Sequence, residues 1–212
     1  NTTFASSACS LLCKFTNAGI FDNSMMNNFE TVGSVQISTA QSQFGGSSLS
    51  FNGTTSQLTA YATPNITFGT ADFTIELWLR LNAVGSEYDF FDMRPTGTNG
   101  IYPLIYVATN NTVRWWINST DVITSTATLS ANTWYHISIC RASGSTKLFI
   151  NGTQSGSTYT DTNNYLCGQL SLGCSVNSLY FLNGYIDDFR ITKGYARYTT
   201  NFTVPSATFP DK

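Results

Sequence analysis

Asp72-Phe73-Thr74-Ile75-Glu76-Leu77-Trp78-Leu79-Arg80-Leu81-Asn82 decides the fold. A pleated strand sends successive side chains to opposite faces. Phe73, Ile75, Leu77, Leu79 and Leu81 therefore share one face, and Thr74, Glu76, Trp78 and Arg80 share the other. The first set reads as the buried face of an antiparallel strand and the second as its presented face. No 3.6-residue period fits this stretch, and helical periodicity is nearly absent elsewhere.

Working outward, the same alternation recurs in short segments broken by Gly, Asn and Ser. Ser47 to Asn52 and Gln57 to Tyr61 form a short pair. Tyr88 to Met93, Ile101 to Val107 and Val113 to Asn118 form a middle group. Thr133 to Arg141 places Tyr135, Ile137 and Ile139 opposite Trp134, His136, Ser138 and Cys140. Lys147 to Asn151 and Gln154 to Thr158 flank Asn151-Gly152, a dipeptide suited to a tight hairpin. Gln169 to Cys174, Leu179 to Asn183 and Tyr185 to Thr192 complete the set. About a dozen short strands with regular turn signals predict an all-β, two-sheet antiparallel sandwich of jelly-roll type. Residues 1–10 read as an extended N-terminal arm and residues 11–212 as one domain. Residues 19–43 are weakly patterned and read as a long connection. Pro205 and Pro210 suit a tail that crosses a surface without continuing a strand.

Composition narrows the function. Charged residues make up 10% of the 212 and the formal net charge is −2, against a usual charged share of about 25%. A nucleic-acid partner would call for a basic surface, and no apolar run approaches the ~20 residues of a membrane span. Ser, Thr, Asn and Gly replace the missing charge, as on secreted or virion-surface β-proteins. Seven N-x-S/T sequons begin at Asn1, Asn52, Asn65, Asn110, Asn118, Asn151 and Asn201. So Ser- and Asn-rich a chain yields several by chance, and the motif alone does not decide glycosylation.

Five cysteines form an odd set. Cys167 and Cys174 flank six residues and could close a hairpin; Cys9 and Cys13 could pair if their segment turns. Cys140 is then a spare buried thiol. No zinc spacing is present, because His136 is the single histidine and there is no CxxC pair.

Five blocks carry a family resemblance. They are Phe44-Gly45-Gly46-Ser47-Ser48-Leu49-Ser50-Phe51-Asn52-Gly53; Asp72 to Arg80; Asn132-Thr133-Trp134-Tyr135-His136-Ile137; Lys147-Leu148-Phe149-Ile150-Asn151-Gly152; and Leu182 to Gly194. In this order they resemble laminin-G-like domains of the concanavalin A-like lectin/glucanase superfamily. The tail Ala196-Arg197-Tyr198-Thr199 is similar to versions in phage and environmental bacterial proteins. The resemblance implies two curved sheets with a binding face on the concave sheet or the rim loops. It also implies a rim calcium, with Asp187 and Asn52 as oxygen ligands. The first strand's exit turn, Phe15-Thr16-Asn17-Ala18-Gly19, lacks the acidic residue often found there.

Two constellations bear on chemistry. Glu87-Tyr88-Asp89-Phe90-Phe91-Asp92 is similar to the E-x-D-x-x-E strand of some glycosidases of the superfamily, with Asp92 one methylene short. The bland alternative pairs Asp92 with Arg94. Exposed aromatics beside polar groups suit sugar binding; Trp78 and Trp116, with Asn118, Asp121 and Arg114, are the candidate ligand contacts. Trp115 and Trp116 must face opposite ways, so one of them is core. The expected function is a non-catalytic recognition or adhesion module, extracellular or on a virion, that binds a glycan or a protein. The alternatives are a structural subunit that self-assembles through the N-terminal arm, and a glycoside hydrolase.

Overall fold

A computed structural model describes residues 9–16 and 19–210. The decisive stretch forms β6 (Phe73–Leu81), the central strand of a nine-stranded sheet. In chain order the strands before it are β1 (Cys9–Cys13), β2 (Phe29–Val32), β3 (Gln36–Ser38), β4 (Ser48–Asn52) and β5 (Gln57–Tyr61). After it come β7 (Tyr88–Asp92), β8 (Leu104–Val107), β9 (Thr112–Ile117), β10 (Thr120–Thr128) and β11 (Trp134–Ala142). The last are β12 (Ser145–Ile150), β13 (Thr153–Gln154), β14 (Tyr159–Thr160), β15 (Gln169–Leu172) and β16 (Asn183–Lys193).

One sheet runs β13-β12-β11-β6-β16-β4-β3, with β1 on β16 and β14 on β12. The other runs β10-β9-β8-β7-β15-β5-β2. Every named pairing is antiparallel. The apolar face of β6 turns inward with Ile137 and Ile139 of β11, and meets Phe91, Ile105 and Trp115 from the other sheet. Phe68 stacks on Phe73 at 4.4 Å, and Tyr165 closes on both Phe73 and Trp115. The expected two-layer sandwich is the observed one. Among the described residues there is no helix, and so none long and apolar enough to cross a membrane.

The hairpin at Asn151-Gly152 forms as the dipeptide predicts, with φ of 49° and 76°. A Cβ on Gly152 would stand 2.1 Å from the carbonyl oxygen of Phe202, so the tail passes directly over this turn.

Several expectations need correction. Residues 19–43 are not a bare connection, since they carry β2 and β3. Leu179 to Asn183 is not a strand, because Ser178 and Tyr180 sit at positive φ (56° and 55°) and break the extension. β10 escaped the sequence pattern because its Thr- and Ser-rich alternation lacks apolar contrast. Cys9 and Ser10 already belong to β1, paired on β16, so the sandwich starts two residues before position 11; residues 1–8 of the arm lie outside the described residues.

The cysteine pairs do not form, and all five are free thiols. Cys9 and Cys13 stand at opposite ends of one extended strand, about 13 Å apart, where a disulfide needs Cα atoms within about 7 Å. β15 lies between Cys167 and Cys174 and separates them for the same reason. Burial pushes both of those thiols up to about 12 and Cys140 up to about 11.

The presented face of β6 is not presented. Thr74, Glu76 and Trp78 are at most 5% exposed. Residues 195–210 cross this outer face and bury it. Tyr198 stacks on Phe202 at 3.5 Å, and Phe209 packs with Trp78 and Leu12. Under this strap Glu76 accepts two hydrogen bonds from Arg190 (2.9 and 2.7 Å) and one from the Tyr198 hydroxyl (2.9 Å). His136 Nε2 approaches the same carboxylate to 3.3 Å.

Candidate functional site

The outer face of the seven-stranded sheet can be built from register alone. Directly opposed residues of antiparallel strands point to the same face. Asp121 of β10 opposes Trp116 of β9, Trp116 opposes Leu104 of β8, and Leu104 opposes Asp92 of β7. The neighbouring row is Thr124, Arg114, Tyr106 and Asp89. The residues between them, Val113, Trp115 and Ile117, point inward and are buried. Trp115 is therefore the core member of the Trp pair, and Trp116 is the partly exposed one.

The two rows form one connected cluster. The Tyr106 hydroxyl donates to Asp121 Oδ1 at 2.8 Å. Arg114 Nη1 donates to Asp121 Oδ2 at 3.1 Å and to Thr124 Oγ1 at 2.8 Å, while its Nε donates to Thr112 Oγ1 at 2.9 Å. Burial, then the Asp121 contact, raises the Tyr106 hydroxyl, so it stays a donor at neutral pH. Arg94 lies over the Trp116 ring at 4.9 Å. It also grips Asp92 with Nε (3.0 and 3.1 Å) and Nη2 (2.7 Å). Glu87, just before β7, is raised by partial burial and then by the Asp121 charge. The result is a pair of aromatic rings at adjoining register positions, ringed by fixed donors and acceptors.

Four of the five expected ligand contacts fall in one region. Trp116, Arg114 and Asp121 are in contact or register, and Asn118 sits exposed in the β9–β10 turn at φ 48°. Trp78 does not join them. It lies on the other sheet, 5% exposed, edge-on to Phe44 and His136 beneath the strap. Thr124 and Arg94 were absent from the expected contacts. The register that recruits Thr124 depends on β10, which the pattern hid. Arg94 reaches Trp116 from a loop, and no periodicity reports such a contact.

Asp187 and Asn52 are not brought together. Asp187 is buried in a β16 bulge, where its Oδ2 accepts the backbone N–H groups of Gln43 (2.8 Å) and Phe44 (3.1 Å). Asn52 opposes Asn183, four residues away along β16, and shapes its own turn by accepting from the Thr54, Thr55 and Ser56 amides. Among the described residues no group of three or more His, Cys, Asp or Glu is disposed to hold a metal; Asn17 and Ala18 of the first exit turn lie outside them.

The carboxylates of the E-x-D-x-x-D segment share a face, but two of them are closed off. Asp92 is 0% exposed and Asp89 is 2% exposed. Asp92 has both oxygens engaged, by Arg94 and by the amides of Arg94 and Val176 (each 3.0 Å). The alternative that pairs Asp92 with Arg94 is the one observed.

Two antiparallel sheets with a polar, aromatic outer face define a lectin-type sandwich. A laminin-G family model described as the concanavalin A-like lectin/glucanases superfamily matches residues 52–197. The chain belongs to this family. Solved structures share the fold at low identity. One is of domain 4 of AbnA, a GH43 extracellular arabinanase from Geobacillus stearothermophilus, in complex with arabinotriose. It has a TM-score of 0.68 and 16% identity, and the match covers 89% of this chain and 93% of that one. Another is of botulinum neurotoxin type C, whose cell entry is described as dependent on two ganglioside molecules. It has a TM-score of 0.67 and 16% identity, covering 90% of this chain and 49% of that one. The botulinum neurotoxin serotype D binding domain has a TM-score of 0.65 and 17% identity, with coverage of 90% and 49%. This chain thus spans about half of the toxin structures it matches. No curated protein sequence matches.

Proposed function

We propose that this protein is a non-catalytic carbohydrate-recognition module that holds its ligand over Trp116 and Tyr106 on the outer face of the seven-stranded sheet. The observation that carries the reading is the pre-set cluster Trp116, Tyr106, Arg114 and Asp121. Sugar rings offer C–H faces that pack on aromatic rings, and hydroxyls that need fixed donors and acceptors. Asp121 has used two of about four lone-pair sites and Arg114 three hydrogen bonds among its five N–H donors, so capacity remains. The ganglioside and arabinotriose ligands of the toxin and arabinanase neighbours support this reading. A hydrolytic role fits poorly, because an acid–base pair needs two accessible carboxyls and Asp92 is sealed. The low charge and Ser/Thr/Asn-rich surface support a site of action outside the cell or on a virion. Assembly through the arm finds no support in Cys9, which already pairs with Thr192 within its own sheet.

The test is a glycan array followed by calorimetry on the best binder. Trp116→Ala lowers affinity at least about tenfold, which is about 1.4 kcal/mol, with the thermal midpoint little changed because the ring is partly exposed. Undiminished binding by Trp116→Ala, or no glycan bound at all, overturns the reading.

A further inference from the structure

The outer face of the seven-stranded sheet continues past Asp92. Asp92 opposes Ser171 of β15, Ser171 opposes Thr59 of β5, and Thr59 opposes Glu30 of β2. Tyr61 lies two residues beyond Thr59 on β5, opposite Gln169, and so shares this face. Leu58 and Ala60, the alternate residues of β5, belong to the core. A cavity of about 200 Å³ opens here, and its lining includes Asn28, Glu30, Thr59, Tyr61 and Gln169. Tyr61 is 80% exposed. Among the described residues nothing forms a hydrogen bond or ion pair with the side chains of Asn28, Glu30, Tyr61 or Gln169. Between this cavity and Trp116 the face is closed. Asp92 and Ser171 are both 0% exposed; Asp92 accepts from the Val176 amide, and the Ser171 hydroxyl donates to the Cys174 carbonyl at 2.8 Å. Four strand spacings, about 19 Å, separate β5 from β9. The cavity therefore stands apart from the Trp116 cluster on the same face.

The lining joins an aromatic ring to two amides, each a donor and an acceptor, and to one carboxylate that only accepts. No Lys or Arg lines the cavity, so an acidic ligand would meet Glu30 with no compensating cation. A purely apolar ligand would strip water from these polar groups and return no hydrogen bond. A sugar ring answers both demands: its C–H face packs on Tyr61, and its hydroxyls turn to Gln169, Asn28 and Glu30. The volume falls short of the ~300 Å³ at which pockets for drug-sized ligands begin, which suits a single ring. We propose that this cavity is a second carbohydrate subsite, which takes one neutral sugar residue against Tyr61 and fills independently of Trp116. The ligand class rests on the carbohydrate reading above, while the position is carried by the cavity itself.

The probes are arabinotriose, xylotriose, cellotriose and trigalacturonate, titrated into the protein and followed by amide nitrogen–proton correlation spectra. Two sets of backbone amides report the sites separately: Glu30, Thr59, Tyr61 and Gln169 for the cavity, and Arg114, Trp116 and Asp121 for the other cluster. At least one neutral probe shifts both sets. Tyr61→Ala weakens binding read at the cavity set at least about tenfold and leaves affinity at the Trp116 set within about twofold. The thermal midpoint stays in place, because Tyr61 is 80% exposed. Tyr61→Phe keeps the ring and retains cavity binding, and Trp116→Ala spares the cavity set. Shifts confined to the Trp116 set with every probe, cavity shifts that survive Tyr61→Ala, or a cavity response to the uronate equal to that for the neutral sugars overturns the second subsite alone. Shifts in the cavity set alone keep this site and remove the placement at Trp116. No response in either set, to these probes or to the best binder on the array, removes the carbohydrate reading with it.

Discussion

Arg94 shows how one residue serves the fold and the outer face of the seven-stranded sheet together. Its guanidinium satisfies a fully buried Asp92 and lies over the Trp116 ring at 4.9 Å. A planar fork suits both tasks, where a lysine ammonium offers a point charge. Removing it strands a buried carboxylate, the costly way to break an ion pair. Arg94→Ala therefore destabilises by about 3–5 kcal/mol, and Arg94→Lys recovers only part of this. Urea denaturation of the two variants checks it; a loss below about 1 kcal/mol for the alanine variant would show that water reaches Asp92 and that the pair matters little.

Among the elements, the C-terminal strap does most to change what the strands mean. Phe209 is 1% exposed, packs on Trp78 and Leu12, and lies 4.1 Å from the Arg190 guanidinium. Phe209→Ala costs about 3–5 kcal/mol, the range for buried Phe-to-Ala changes, and shifts tryptophan fluorescence to the red as Trp78 meets water. An unshifted spectrum would mean that Phe44 and Leu12 alone keep Trp78 dry. The strap also marks where sequence reading stops. Pro205 and Pro210 were enough to say that the tail runs across a surface. They could not say which one, because no local pattern encodes contact between Phe209 and Trp78, 131 positions apart. A strand covered on both sides usually reads as a continuous apolar run. The outer face of β6 is Thr, Glu, Trp and Arg, so it reads as solvated, and its burial rests on Arg190 and Tyr198 answering Glu76. By contrast the inner faces of β6 and β11 were legible residue by residue, since period-two alternation is a local signal; in β9 it showed only that Trp115 and Trp116 face opposite ways. That Asp121 stands opposite Trp116 depends on β10, whereas Trp116 and Arg114, alternate residues of one strand, were legible as sharing a face. Thr124 and Arg94 depend on register and loop reach, which are not.

At the scale of the whole molecule the buried acids oppose one another, and their balance sets the stability profile. Burial would raise Glu76, but Arg190, His136 and Arg197 outweigh it and hold it at about 2. Its contribution is present above about pH 4.5 and fades as pH falls towards 2. The two acids of the β16 bulge go the other way. Burial pushes Asp187 up to about 6 against the amides of Phe44 and Gln43. Burial also pushes Asp188 up to about 7; the Phe209 amide, Lys14 and Arg190 oppose this, and Asp187 reinforces it. Asp89 shifts in the same direction. An acid whose folded value is raised keeps protons that the unfolded chain has released, so its contribution is lost as pH rises through that value. The Asp187 and Asp188 contributions begin to fail at the unfolded value, about pH 4, just as the Glu76 contribution nears completion, and their loss is complete near pH 7. Stability from these groups peaks near pH 4, below the neutral range where maxima are common, and the thermal midpoint falls by several degrees from about pH 4 to about pH 7. Asp188 grips the strap through the Phe209 amide at 2.7 Å, so the loss starts where the strap is anchored. Asp188→Asn keeps an acceptor there and flattens the decline between about pH 4 and about pH 7. Differential scanning calorimetry across this range decides it: a midpoint that climbs steadily to pH 8 would mean that water enters the bulge and keeps both aspartates ordinary.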